Sequence, residues 1–422
     1  MLVVTAIQEN KERVIEGLKK RNFKQIELVD EVLNTDELRR KTQFELDNLL
    51  AESNALSKEI GQLFQQGKTA EANELKEKTS EHKSRIKELQ DLLSDYEESL
   101  KSMLYQIPNI PHSSVVQGFG AEDNEIVFKE GDDSPKTNML PHWELAKKLN
   151  LIDFELGVKI TGAGFPVYLG KGARLQRALI QYFLDKNTGA GYLEVNPPFV
   201  VNEASGYGTG QLPDKEGQMY YVNEDNLYMI PTSEVPVTNL YRDELVNKTD
   251  LPIKMTAYSP CFRREAGSYG KDVRGLNRLH QFEKVEIVRI EEPENSYAAL
   301  DEMVNHVKGL LRDLELPFRV LRLCGGDMGF TSALTYDFEV FSAAQEKWLE
   351  VSSVSNFETF QANRLKLRYK NEGKNELCHT LNGSSLALPR IMAAILENHQ
   401  QADGSIRIPE KLREYTGFEE IK

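Results

Sequence analysis

Cysteine is scarce in this sequence, with Cys261, Cys324 and Cys378 the only three in 422 residues. An odd, widely spaced set does not make a disulfide framework, and no pair shows the short spacing of a zinc site. Free thiols in a reducing, cytoplasmic setting are therefore expected, with no zinc. Long apolar runs are also lacking. The N-terminal MLVVTAIQENKERV holds too short an apolar stretch for a signal peptide, and no later segment approaches the roughly 20 residues that cross a bilayer, so no membrane association is expected. There is no P-loop and no G-x-G-x-x-G after a strand, so any ATP must be held by another architecture. Positive charge is in deficit: 52 Lys and Arg face 66 Asp and Glu, a net charge of −14. That balance argues against holding nucleic acid by bulk charge and leaves room only for a local basic groove.

What the chain has in quantity is charge in patterns. Charged residues make up 28% and mean hydropathy is −0.49, which marks a soluble chain long enough for two or three domains. Residues 1 to 24 read as a short helix with a basic end, KKRNFK. From Thr42 through Leu46, Leu49, Ser53, Leu56, Ile60 and Leu63 the steps alternate between four and three, as in a coiled-coil seam. After the break QQGKT a second series runs from Ala72 through Leu75, Thr79, His82, Ile86, Leu89, Leu93, Tyr96 and Leu100 to Met103. Two seams joined by a turn make an antiparallel helical arm over 1–106, its second helix roughly 50 Å long. Such an arm serves equally as a dimerisation or spacer element. Residues 1–105 carry 17 Lys and Arg against 21 Asp and Glu, so contact with nucleic acid requires a stripe such as Arg39, Arg40, Lys41, Lys58 and Lys68.

Residues 107–135, with IPNIPHSS, GFGAEDNE and EGDDSPKT, read as a linker into a domain over 136–422. There WELAKKLNLIDF and ARLQRALIQYFLDKNT have helical spacing, and YLEVNPPFVV reads as a strand stopped by paired prolines. Strands dominate afterwards, with helices at 297–314 and from Pro389. Clustered strands without βαβ alternation predict an α+β fold on an antiparallel sheet.

Four stretches carry polar groups that a bare fold does not require. The first is Thr256 to Ile290, read as a strand from Tyr258 to Phe262, a basic loop from Gly267 to Gly275 and a second strand from about Asn277. Strand parity puts Arg263 with Glu265 on one face, and Arg278, Phe282 and Glu286 on one face. A solvated hairpin explains alternating charge equally well, but two arginines, an aromatic and two carboxylates suit a ligand with phosphate, a flat ring and an ammonium group. The second is Thr232, Ser233 and Glu234, which also read as a helix N-cap with an acidic first turn. The third holds Glu350 beside Ser352 and Ser353, an oxygen-rich set suited to Mg²⁺ with nucleotide phosphates. Parity sets Glu350 and Ser353 on opposite faces, so joint binding requires a bulge or strand end between them. The fourth is TLNGSSLALPR, where Pro389 suits a first helical turn and puts Arg390 at the positive end of that helix, an anion site or simply a surface arginine.

FRREAGSYGKDVRGLNRLHQFEKVE resembles motif 2 of the class II aminoacyl-tRNA synthetases in the seryl-tRNA synthetase form, LNGSSLALPR resembles its motif 3, and YLEVNPPFVV resembles motif 1, which builds the dimer interface. TSE at 232–234, EVSS at 350–353, GTGQLP at 208–213, GDMGFTSALTYDFEVF from Gly326 and the arm fit the same pattern, so the resemblance spans essentially the full length. It implies that serine is activated by ATP and passed to tRNA. Arg263 would bridge the α-phosphate and the serine carboxylate, and Glu265 would accept from the adenine amino group. Phe282 would stack on adenine, while Arg278 and Arg390 hold the β,γ-phosphates. Glu350 and Ser353 would bind Mg²⁺, with Val351, Ser352 and Arg264 inside the ATP-binding stretches but without a defined role. Thr232 and Glu286 would take the serine ammonium, Glu286 and Ser384 its hydroxyl, with Ser233 and Glu234 lining the pocket. Lys271 and Arg274 would face the acceptor end, and the arm, through Arg39, Arg40 and Lys41, the long variable arm of tRNA(Ser) across a homodimer. Charging of tRNA(Sec) is implied too. The scattered cysteines match the bacterial type, which lacks zinc. A same-fold ligase that charges a carrier protein would lack the arm, and a catalytically dead regulatory homologue would have lost Arg263 or Arg390.

Overall fold

In the computed structural model, residues 1–134, 138–214, 217–265 and 274–422 are described. Lys271 and most of the basic loop lie outside them. The chain divides into two compact units, Met1–Lys19 with Phe23–Pro108, and Lys20–Asn22 with Asn109–Lys422.

In the first unit the N-terminal stretch forms two helices where one was expected, α1 (Val4–Glu9) and α2 (Lys11–Lys20), because the chain leaves helical geometry at Asn10. The arm is α3 (Leu28–Gln65) and α4 (Thr69–Leu104), broken within the expected QQGKT. Leu46, Ala72, Thr79, Leu89 and Met103 of the two seams are buried between them. Four of the five residues of the proposed basic stripe are engaged in ion pairs. Arg39 and Arg40 both bind the buried Asp36, and Lys41 and Lys68 pair with Glu37 and Glu71 one turn away.

The second unit is built on an eight-stranded sheet. Its strands are β1 (Glu125–Glu130), β2 (Leu193–Glu194), β3 (Ile253–Phe262), β4 (Gln281–Glu291), β5 (Phe318–Arg322), β6 (Leu334–Ser342), β7 (Lys347–Asn356) and β8 (His379–Ala387), in the order β1-β5-β6-β7-β8-β4-β3-β2. Neighbours are antiparallel except β2, which joins β3 in parallel. Residues 125–130, within the expected linker, thus form an edge strand of this sheet. The prolines at 197 and 198 split YLEVNPPFVV into β2 and a separate strand, Val200–Asn202. WELAKKLNLIDF is likewise split. Helix α5 (His142–Lys148) ends before Asn150, whose positive φ of 50° stops it, and a second short helix spans Phe154–Ile160.

One face of the sheet is covered by α6 (Gly170–Gly189), α8 (Ser296–Asp313) and α9 (Leu388–Asn398). In α6, Leu175, Ala178, Leu179, Tyr182 and Phe183 recur at the spacing that gathers apolar side chains on one side of a helix. Helix α9 is buried all round from Ile391 to Leu396. On β4, Val285 and Ile287 enter this core, while Val288 and Ile290 enter a second one on the opposite face. Lys284 and Glu286 share that opposite face by strand parity, which sets the address of the polar groups.

Candidate active site

Three register pairings bring the polar residues together. Asp337 of β6 faces Ser353 of β7, Ser355 of β7 faces Asn382 of β8, and Ser384 of β8 faces Glu286 of β4. Directly opposed residues project to the same side of a sheet, and so do residues two apart on one strand. The set Asp337, Ser353, Ser355, Asn382, Ser384, Glu286, Lys284 and Phe282 therefore lies on one face. The Ile230–Thr232 segment closes its edge. Phe262 N–H donates to the Ile230 carbonyl at 2.8 Å, and Arg263 Nε donates to the Pro231 carbonyl at 3.4 Å.

Helix α7 (Glu234–Asn239) follows at once, so Thr232, Ser233 and Glu234 are buried at its start. Thr232 Oγ1 accepts from the Glu234 N–H at 3.2 Å and donates to Glu286 Oε2 at 3.4 Å, which links it to the site, whereas the expected side-chain cap does not form at Ser233, the N-cap residue. Ser233 turns its hydroxyl to the Ala257 carbonyl, 3.4 Å away. Glu234 accepts from Gln361 Nε2 at 2.7 Å. Burial, and next the charge of Glu286, push the Glu234 carboxyl up to about 7. Glu286 is itself 2.7 Å from Lys284 Nζ, and both side chains are buried.

The parity expected for the motif 2 arginines does not hold. Strand β3 ends at Phe262 and β4 starts at Gln281, so Arg263, Glu265 and Arg278 belong to the turn region, and Glu265 has a positive φ of 47°. Off the strands, side-chain direction no longer alternates. Arg278 and Glu265 nevertheless meet, as an ion pair through Nε and Oε2. Phe282 and Glu286 do share a face, and the Arg263 guanidinium lies over the Phe282 ring at 5.2 Å. The Arg264 N–H donates to the Gln218 carbonyl at 2.8 Å.

The condition set for Glu350 and Ser353 is met by a bulge. Phe338 pairs with Ser352 but Glu339 pairs with Glu350, leaving Val351 as the extra residue. That insertion brings Glu350 onto the face of Ser353 and Asp337. Val351 is core, and Ser352 donates to the Ser384 carbonyl at 2.6 Å. Asp337 was missed in the sequence, although an acid in the apolar alternation TYDFEVF was a visible signal. Its Oδ1 is buried with no hydrogen-bond partner among the described residues, while Ser353 binds the carboxyl. Burial and then the Glu350 charge hold this carboxyl well above the usual range. An orphaned acid oxygen beside a second carboxylate and a hydroxyl is a hard-oxygen set that fits a divalent cation such as Mg²⁺. No group of three His, Cys, Asp or Glu arranged for a metal occurs among the described residues.

Arg390 sits in the first turn of α9 behind Pro389, as expected. Its Nε donates to the Asn277 carbonyl at 3.0 Å and its Nη1 to the Glu350 carbonyl at 2.6 Å, so it bridges the turn after the basic loop and the bulge. Arg274, the described part of the proposed tRNA contact, is exposed and stacks over Trp143 at 4.8 Å. A separate cleft of about 620 Å³, bordered by Glu130, Arg312, Glu315, His399 and Arg407, shares none of these residues. Its arginines are paired with its acids.

Known families account for this arrangement. Residues 1–111 match the seryl-tRNA synthetase N-terminal domain, and residues 219–399 match the class II tRNA synthetase core domain (G, H, P, S and T). The serine–tRNA ligase of Salinibacter ruber is 51% identical over 425 residues, covering 100% of this chain and 99% of its own. Among solved structures, the seryl-tRNA synthetase of Pyrococcus horikoshii complexed with ATP superposes with a TM-score of 0.93 at 34% identity, covering 100% of this chain and 99% of its own. The cytoplasmic serine–tRNA ligase of Naegleria fowleri in complex with AMP gives 0.88 at 29% identity, covering 100% and 99%. With a full-length relative at this identity and both domains matched, the chain belongs to the seryl-tRNA synthetase family, the serine–tRNA ligases built on the class II core.

Proposed function

We propose that the polar face of the sheet activates L-serine with ATP and that the seryl group is then passed to the terminal adenosine of tRNA(Ser). The observation that carries this reading is the direct opposition of Glu286 and Ser384, with Thr232 Oγ1 3.4 Å from the same carboxylate. These three groups supply what a small hydroxy amino acid needs, an anion for its ammonium and polar partners for its hydroxyl. A pocket that pairs the hydroxyl rejects alanine, because its own groups would be left unpaired.

In the first step a serine carboxylate oxygen attacks the α-phosphorus, the bond to the bridging oxygen breaks, and pyrophosphate leaves. The carboxylate is already ionised, so no protein nucleophile is required, and catalysis reduces to placing the two reactants and offsetting phosphate charge. Arg263 takes the α-phosphate and the serine carboxylate, Phe282 the adenine ring, and Glu265 its amino group. Arg278 and Arg390 take the β,γ-phosphates. Arg278 and Glu265 pair with each other in this structure, so nucleotide binding exchanges that ion pair for two contacts to ATP. Glu350 and Ser353 would hold Mg²⁺, with Asp337 beside them. The ion neutralises phosphate charge when bound. In the second step the ribose hydroxyl of the tRNA attacks the seryl carbonyl and AMP leaves.

Domain roles follow: 1–106 as the tRNA-selecting arm, and 136–422, with the edge strand Glu125–Glu130 that 107–135 adds to its sheet, as the catalytic domain. A homodimer is supported by exposed apolar residues in motif 1, with Leu193 67% and Val200 40% exposed. No helix among the described residues is long and apolar enough to cross a membrane. The free, buried state of Cys261, Cys324 and Cys378 supports a cytoplasmic setting. The test is pyrophosphate exchange into ATP. Serine should drive it and alanine or threonine should not; equal exchange with all three would overturn the reading.

A further inference from the structure

We infer that His142 is a positioning residue for the nucleotide side of the site, acting through the chain that leaves the motif 2 loop. The inference rests on the role proposed above for Arg390.

His142 and Glu397 come from helices 255 residues apart and are fully buried against each other, with Nδ1 2.7 Å from Oε1. The other ring nitrogen settles the protonation state. Nε2 is 2.8 Å from the Leu276 backbone nitrogen, whose hydrogen can only be donated, so Nε2 is an acceptor. The proton therefore sits on Nδ1 and is donated to Glu397, and the contact is a hydrogen bond from a neutral imidazole to a carboxylate. Burial works against that carboxylate. Hydrogen bonds from the His142 ring, Ser342 and the His142 N–H stabilise it.

Each residue of the outgoing segment is tied to this pair or next to it. The Arg274 guanidinium stacks on Trp143. Gly275 has no side chain where a Cβ would stand 2.3 Å from His142 Nε2. Leu276 donates to Nε2. Asn277 Nδ2 donates to Gln345 Oε1 at 3.0 Å, and Gln345 Nε2 donates to Glu397 Oε1 at 3.1 Å. The Asn277 carbonyl then accepts from Arg390 Nε at 3.0 Å. The buried His142–Glu397 pair thus holds two consecutive residues, Leu276 directly through the imidazole and Asn277 through Glu397 and Gln345, and the second of them orients a phosphate-binding arginine. A histidine that merely filled the core would need neither the Leu276 bond nor Gly275.

The two ring nitrogens can be removed separately. In His142→Asn the amide reaches the Nδ1 position and keeps the bond to Glu397 but offers nothing to Leu276. In His142→Gln the amide oxygen reaches the Nε2 position and keeps the acceptor for Leu276. ATP affinity by equilibrium dialysis and KM values from serine-dependent exchange should separate them. We expect His142→Asn to weaken ATP binding and raise its KM about tenfold, the effect of one buried donor left unpaired. His142→Gln should stay within about threefold, and the KM for serine should move less than about twofold in both. Gln345→Leu, which cuts the Asn277 branch from the half-buried side, should weaken ATP binding in the same direction and covers the case in which a His142 variant does not fold. Wild-type ATP affinity in His142→Asn, or equal loss for ATP and serine, would overturn the inference. Wild-type exchange that ignores serine would instead overturn the functional reading, leaving dialysis to decide this one.

Discussion

Lys284 Nζ lies 2.7 Å from Glu286 Oε2 with both side chains buried, so the carboxylate proposed to receive the serine ammonium already holds an ammonium of the protein. Removing one partner of a buried pair strands the other charge, here beside the buried Glu234. Lys284→Met should therefore destabilise the fold by about 3–5 kcal/mol in denaturant titrations. Lys284→Met with Glu286→Gln should recover most of that loss while leaving serine activation poor. A single variant within about 1 kcal/mol of wild type would show that the pair does not hold this corner.

Glu234 gives stability a pH dependence. Its carboxyl is raised from 4.5 to about 7, first by burial. A group whose pKa rises on folding favours the fold in its protonated form. Its contribution is complete below about 4.5 and is lost as the pH rises through 7. The size is on the order of 3 kcal/mol. Glu234→Gln should flatten this part of the stability profile between pH 5 and 8, measured as denaturant midpoints, and an unchanged slope would assign it to other groups.

Ser384→Ala should raise the KM for serine by about three- to tenfold, leave that for ATP unchanged and narrow the preference over alanine, as expected for one neutral hydrogen bond. Glu286→Gln should cost more, about 10- to 100-fold, because a charged partner is lost. Parallel rises for ATP and serine would place these residues outside the amino-acid pocket.

On the metal side, chelation should abolish exchange, and Glu350→Gln should raise the Mg²⁺ concentration for half-maximal rate by about tenfold or more, since ligand charge sets affinity in oxygen sites. Asp337→Asn should shift the same titration in the same direction by less. An unchanged Mg²⁺ dependence in Glu350→Gln would remove it from the ligand set.

Deleting about residues 30–104 should preserve serine-dependent exchange and abolish tRNA charging. Loss of both would make the arm structural. Charging of tRNA(Sec) transcripts by the full chain tests the second substrate.

Local patterns in the sequence carried much of this. The seams of the arm, the break at QQGKT, the antiparallel sheet and Pro389 ahead of Arg390 are set by side-chain period and turn chemistry, which act over a few residues. Parity failed where the backbone left the strand, as at Glu265, and a bulge at Val351 reversed it for Glu350. A one-residue insertion leaves no mark in composition. Lys284, one of several charged residues in QFEKVEIVRIE, carries no local sign that it is buried. His142 with Glu397 was not legible at all, because neither residue has a local reason to be buried and their pairing depends on the packing of α5 against α9.

Burial along the arm is uneven. From Ala51 to Gln65 no side chain of α3 is buried, and the facing half of α4 contributes Ala72 and Thr79. Little apolar area is therefore lost when that end opens, and its opening free energy falls toward the turn at Gln66–Lys68. Amide exchange should run fastest there and slow progressively toward Leu28 and Leu104. An RNA gripped by the arm would be recorded as a slowing of exchange that starts at the loosest end of the hairpin.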